Sequence, residues 1–404
     1  MGIITKNTTF NRTEFMFLMP TQIKYGPGKV ASLATDLQIE DDLANRNSVM
    51  VFTDRAIAAA GLVDQLKTGL EGSQYEIKAV FDEIPSDSDV EVVGRAAAIA
   101  NEVEADLFVA IGGGSVMDTA KATSVLAAHG GDIKDYEGIF LVPGPCIPIV
   151  AIPTTCGTGS EVSAVLVVKD NTEHRKVSLA SQYIFPRLAV LDPNIIATLP
   201  AKLIAYTGFD ALTHAIEAYV SMEQEPIAEA LSLRAVEMIA DNLETAVNDP
   251  SHEDARAKLQ IAATMAGMAF TNVGVGAVHA IAHSIGAIYG IHHGLSNAII
   301  LPYVMEYNLD SCPERFASLA RALGVFDKNK SDEELGRAAI DRVQDLKRAV
   351  NIPKTFAGLI ESINESGIDT LTEMSMNDLS LPFNPRNTEA EEMKQLITTV
   401  IGVK

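Results

Sequence analysis

The sequence predicts an α/β N-terminal domain, a parallel sheet with helices on both faces, followed by an all-α C-terminal domain. Three observations predict it. Short, continuously apolar runs alternate with helical stretches through the first half, and such runs suit strands covered on both faces. Beyond about residue 199 strand patterns vanish and Ala-rich, Leu-rich helical periodicity takes over. At 404 residues the chain is also longer than one core usually carries. The expected division is 1–198 and 199–404.

The elements follow in order. Residues 48–53 form an apolar strand that ends at Asp54, and 75–81 a second strand. Helical spacing covers 90–103. Residues 106–111 are a fully apolar strand running into Gly112, with a helix over 115–128. Strands are expected at 147–152, 162–168, 176–180 and 188–191, then helices at 201–219, 228–248, 255–270 and 275–288. Thr388 and Glu391 have the spacing of a capping box that opens a last helix.

Composition excludes several classes of function. Hydrophobic residues make up 47% and charged residues 21%, which is globular. Asp plus Glu number 53 against 31 Lys plus Arg, a net charge of -22. Such a chain repels phosphate backbones and anionic membrane surfaces, so neither nucleic acid nor a membrane is expected as a partner. Three cysteines (Cys146, Cys156, Cys312) make no disulfide framework and point to a reducing, cytoplasmic location. The N-terminal residues carry no signal-peptide pattern. The stretch 259–305 has no Asp, Glu, Lys or Arg, but it holds histidines, glycines, Asn272, Asn297 and Pro302. Polar groups that dense are costly in lipid, so buried helices of a soluble domain are the better reading.

Two loops follow strand ends. The run GGGS (Gly112, Gly113, Gly114, Ser115) lies between an apolar strand and a helix. Glycines let the backbone approach a ligand, and the helix N-terminus offers free N–H groups to phosphate. The spacing is not G-x-G-x-x-G, and the candidate ribose carboxylate, Asp54, precedes the glycines instead of following them. The competing reading is a tight turn with Ser115 as N-cap and Asp118 as its capping-box partner. The second loop, PTTCGTGSE at 153–161, offers Thr154, Thr155 and Thr158 as hydroxyls.

Histidines 214, 279, 283, 292 and 293 all fall in the helical half. Asp210 and His214 are four apart and share a helix face, as do His279 and His283. Imidazoles with one carboxylate in uncharged surroundings suit Zn(II), Fe(II), Co(II) or Ni(II), and not the oxygen-seeking Mg(II) or Ca(II).

Long stretches then resemble one known family. They are PTQIKYGPG (20–28), VFTD (51–54), AIGGGSVMDTAKA (110–122), IPTTCGTGSEVS (152–163), GFDALTHAIEAY (208–219), GAVHAIAHSIGAIYGIHHG (276–294) and PFNPRNT (382–388). The chain is similar to the iron-containing (group III) alcohol dehydrogenases. The resemblance implies a metal in the cleft between the two domains, held by Asp210, His214, His279 and His293. It implies that His283 lines the cleft without ligating; an imidazole there could relay the alcohol proton, the alternative being a histidine that only supports or packs. It implies that NAD is held by Gly112, Gly113, Gly114, Ser115 and Asp118 at the pyrophosphate, by Thr154, Thr155 and Thr158 near the nicotinamide, by Asp54 at the ribose, and by Lys176 on the ribose side. The implied reaction is hydride transfer between a small primary alcohol or diol, or the corresponding aldehyde, and the nicotinamide, with Fe(II) as metal and Zn(II) as the alternative. A homodimer or higher homo-oligomer is expected.

The chain departs from the family at three places. Ser86 stands where relatives often carry asparagine, His292 where they often carry proline, and the segment before Tyr25 is longer. Related dehydrogenases of the glycerol or maleylacetate type are the rival reading, and the long 208–219 and 152–163 motifs argue against it. A non-enzymatic metal-binding protein would not need a nucleotide loop and a metal cluster together.

Overall fold

A computed structural model describes residues 14–402. The strands are β1 (Gln22–Tyr25), β2 (Ser48–Phe52), β3 (Glu76–Phe81), β4 (Leu107–Gly112), β5 (Gly138–Ile139), β6 (Ile149–Pro153), β7 (Val165–Asp170), β8 (Arg175–Ala180) and β9 (Leu188–Leu191). Six of them form one sheet in the order β1-β9-β6-β4-β2-β3, with every pairing parallel. The others form a three-stranded sheet, β5-β8-β7, in which β7 and β8 are antiparallel.

The central strands β2, β4, β6 and β9 are buried along their whole length. Val49, Val51, Val109 and Ile111 pack into one apolar layer, and Met50, Phe52, Phe108 and Ala110 into another. Side chains of one strand thus feed both faces, as expected of a sheet sandwiched between helices.

The strand order reverses next to β2. The chain steps outward to β3, then crosses back so that β4 pairs on the other side. Loops following β2 and β4 therefore diverge above neighbouring strand ends, which opens a crevice there. Asp54 and the GGGS loop flank it.

From Pro193 onward the described chain is helical apart from short 3-10 turns, loops and isolated bridges. Helices Ala201–Val220, Pro226–Asn248, Glu253–Val273, Ala277–Tyr289 and His293–Asn308 share one large apolar core. No single described helix is long and apolar enough to cross a membrane. Glu253–Val273 and Ala277–Tyr289 pass that test only as a pair, and they are bent by 102°.

Several boundaries differ from expectation. The strand expected at 162–168 begins at Val165, because Ser160–Val162 is a 3-10 turn. Gly113, not Ser115, is the N-cap of helix Gly114–His129, so no capping box with Asp118 forms. The last helix is capped by Glu389 with Glu392, one residue beyond Thr388 and Glu391. β1 and β5 were not expected: β1 is an edge strand with no fully buried residue, and β5 has two residues.

Candidate metal centre and nucleotide cleft

One cavity of about 1410 Å³ runs from the ends of β2 and β4 into the helical half. Asp54, Gly113, Gly114, Ser115, Asp118 and Lys176 line it toward the sheet. Thr154, Thr155 and Thr158 line it as well, and Asp210, His214, His279, His283 and His293 are at the helical wall. Gly112 alone of the expected residues is absent from the lining.

At the sheet end the two loops interlock. A Cβ on Gly114 would come within 2.8 Å of the Thr158 side chain, and one on Gly113 within 3.3 Å of Thr155. Larger residues would drive the loops apart, so the glycines fix the width of the floor. The helix Gly114–His129 starts at this floor, and a helix N-terminus favours phosphate.

Asp54 caps the helix Arg55–Ala59, with Oδ1 accepting from Ile57 N at 2.9 Å. Asp118 is a strut: its Oδ1 accepts from Ser160 Oγ at 2.8 Å and its Oδ2 from Val167 N at 3.0 Å. Burial raises the Asp118 carboxyl, with Lys121 opposing. Lys121 is fully buried, donates to Ser160, Ser163 and Val165, and is lowered to about 8 by burial. Lys176 is ion-paired with Asp87, and the Ser86 carbonyl accepts from Ser115 Oγ at 2.5 Å.

At the helical end, Asp210 and His214 come from helix Ala201–Val220, His279 and His283 from Ala277–Tyr289, and His293 opens His293–Asn308. Gly294 lets the first and the last of these helices approach: a Cβ there would meet the Tyr206 carbonyl at 2.4 Å. His293 Nε2 is thereby 3.5 Å from Asp210 Oδ1. One ligand atom from each of Asp210, His214, His279 and His293 lies within 4.8 Å of all the others. His283 is not in that set, although its ring stacks on His293 at 5.3 Å. His292 packs its ring against Tyr206 at 5.3 Å.

The donor set fits a divalent cation. Burial lowers His214 and His279, and His293 is pushed down to about 3 by the same cause, so all three present neutral imidazoles. Neutral rings beside one carboxylate match the N/O donors that transition ions accept.

Three groups around this set, Glu217 and Asn297 buried and Asp378 nearly so, were not singled out from the sequence. Glu217 Oε2 lies 2.5 Å from His279 Nδ1, which leaves Nε2 as the atom free to face the rest of the set. Burial raises Glu217 to about 8 against backbone N–H groups of Gly276, Val278 and His279. Asn297 Nδ2 donates to Asp210 Oδ1 at 2.7 Å and lies 3.2 and 3.1 Å from Nε2 of His279 and His293. Asp378 approaches His283. Glu217 sits one turn past His214, and Asn297 one turn past His293, so helical spacing could have found both.

Known proteins resemble the chain over most of its length. Residues 20–193 match the family model described as iron-containing alcohol dehydrogenase, and residues 204–401 the one described as Fe-containing alcohol dehydrogenase family, C-terminal. The NAD-dependent methanol dehydrogenase of Bacillus methanolicus is 32% identical over 385 residues, covering 95% of this chain and 99% of that protein. The 1,3-propanediol dehydrogenase of Klebsiella pneumoniae is 34% identical over 382 residues, 94% of this chain and 97% of that protein. A crystal structure of 1,3-propanediol oxidoreductase superposes with a TM-score of 0.91 at 32% identity, covering 96% of this chain and 100% of that one.

Proposed function

The chain belongs to the iron-containing alcohol dehydrogenase family, and from that premise we propose an NAD-dependent, divalent-metal-dependent alcohol dehydrogenase and aldehyde reductase acting on a small primary alcohol or diol. The observation that carries this reading is the single cavity with a glycine-floored helix N-terminus at one end and three imidazoles with a carboxylate at the other.

A divalent cation supplies Lewis-acid polarisation of the substrate oxygen, and the nicotinamide supplies the hydride chemistry. Asp210, His214, His279 and His293 would hold the cation, with Fe(II) as the expected ion and Zn(II) also suited to these donors. Gly113, Gly114 and Ser115 would receive the pyrophosphate on main-chain N–H groups, with Gly112 behind them as the buried end of β4, and Asp118 holds the facing loop in place. Asp54 would accept from the ribose hydroxyls, Thr154, Thr155 and Thr158 would bound the nicotinamide end, and Lys176 would stand on the ribose side. His283, within the cleft and outside the ligand set, takes the alcohol proton during oxidation and returns it during reduction.

A division at 198/199 would put the sheet with the nucleotide floor on one side and the helices with the metal set on the other, which suits this reading. The three cysteines are unpaired thiols, which supports a cytoplasmic location. A homodimer is the simplest closed assembly for such an enzyme.

The test is an anaerobic assay of NADH and NADPH oxidation with a panel of straight-chain aldehydes and diol-derived aldehydes, after loading with Fe(II) or Zn(II). Turnover with NADH and at least one aldehyde supports the reading. No turnover in any metal state would overturn it.

A further inference from the structure

His283 stands between two cavities. Its ring lines the main cleft and also a smaller cavity of about 280 Å³ behind it. Asp378 lines the smaller one and not the cleft. Its Oδ2 lies 2.8 Å from His283 Nδ1, and both side chains are nearly buried, at 11% and 12% exposure. The other oxygen, Oδ1, accepts from Ser380 N at 2.8 Å, which fixes the carboxylate within its own turn.

An ionised carboxylate only accepts hydrogen bonds, so Nδ1 must carry the ring proton. The backbone N–H of Ser380 on Oδ1 favours the charged form of the Asp378 carboxyl. With Nδ1 protonated, the lone pair of the neutral ring is on Nε2, the nitrogen on the side away from Asp378. A base that accepts an alcohol proton needs that tautomer and that orientation. Nothing else holds the ring by a hydrogen bond among the described residues: its other close neighbours are the rings of His293 and His279, at 5.3 and 5.9 Å.

We propose that Asp378 is the positioning residue of His283: it accepts Nδ1–H and so holds the ring with the Nε2 lone pair directed into the cleft. This rests on the reading of His283 as the proton relay. In the oxidation direction the substrate O–H bond breaks, its proton joins Nε2, and the electron pair stays on oxygen. As the C–H bond breaks, an oxygen lone pair closes the carbonyl double bond and the C–H electron pair would leave as hydride to a bound nicotinamide. The imidazolium that remains is neutralised by Asp378 until it releases its proton to solvent. Arg175, Lys176, Glu137 and Glu373 line the smaller cavity and are the charged groups that face the pair from behind.

Four variants of the metal-loaded enzyme test this: Asp378→Ala, Asp378→Asn, His283→Ala, and His283→Ala with Asp378→Ala. Metal content, cofactor KM and kcat are measured for each. Asp378→Ala should keep its metal and its cofactor KM, and lose about 10²-fold in kcat. Asp378→Asn, close in shape and still an acceptor, should lose less. The double variant should be no slower than His283→Ala alone, because both changes remove one function. Asp378→Ala with undiminished kcat, or with lost metal, would overturn the assignment, as would losses that multiply in the double variant. If His283→Ala itself runs at full rate, the relay reading falls and this assignment with it. A slow His283→Ala beside a fast Asp378→Ala removes the positioning role alone.

Discussion

Glu217 and His279 are both almost fully buried and meet at 2.5 Å, Oε2 to Nδ1, between helices Ala201–Val220 and Ala277–Tyr289. A carboxylate behind a ligating histidine fixes the ring's tautomer and makes the opposite nitrogen a better donor. Because Glu217 is anchored by backbone N–H groups at the start of the second helix, it sets where the His279 ring stands.

Glu217→Gln should therefore weaken metal binding about 10- to 100-fold while leaving the fold intact. Competition with a chromophoric chelator measures this. An unchanged affinity would show that the pair only packs.

Asp54 should select NAD over NADP. One oxygen caps a short helix, and the other would face the 2′-phosphate of NADP with like charge, a repulsion of about a few kcal/mol at an effective dielectric near 20. Glycine is tolerated at an N-cap, so Asp54→Gly tests the cofactor rather than the helix. The ratio of kcat/KM for the two cofactors should narrow or reverse in the variant. Equal efficiencies in the unaltered protein would contradict the role.

His293, not His292, should be the fourth ligand. Its Nε2 lies near Asp210, whereas the His292 ring is against Tyr206. His292→Pro should keep about one equivalent of metal and most of the activity, and His293→Ala should lose both. Elemental analysis decides, and metal lost only on changing His292 would reverse the assignment.

Lys347 predicts a pH dependence of stability. It is buried with its Nζ on the Ile299 carbonyl at 3.1 Å, and burial pushes it from 10.5 down to about 7. Between those values the unfolded chain binds the proton and the folded chain does not, so stability should rise with pH across that window. Below pH 7 the penalty is complete. Lys347→Met should stabilise the protein at pH 7 by about 1 kcal/mol or more, since a buried cation without a counter-charge costs more than one carbonyl bond returns. The gain should shrink toward pH 10. Denaturant melts at several pH values give the answer, and a destabilised variant would refute it.

Much of this was readable in the sequence, for physical reasons. β2, β4 and β9 are continuous apolar runs because helices cover both sheet faces. β1 carries Gln22 and Lys24 at the sheet edge, so nothing in its pattern marks a strand. Asp210 with His214, and His279 with His283, stand out because four residues is one helical turn. Asp378 could not be found that way. It reaches His283 from a turn 95 residues further along the chain, and no spacing encodes that contact.

The most direct test of the account is metal removal and return. Protein stripped with a chelator under anaerobic conditions should lose aldehyde reduction, and Fe(II) or Zn(II) should restore it with an end point at one equivalent per chain. His279→Ala, treated in the same way, should neither retain the ion nor recover. Full activity in the stripped protein, or unimpaired metal binding by His279→Ala, would contradict a metal centre built from Asp210, His214, His279 and His293.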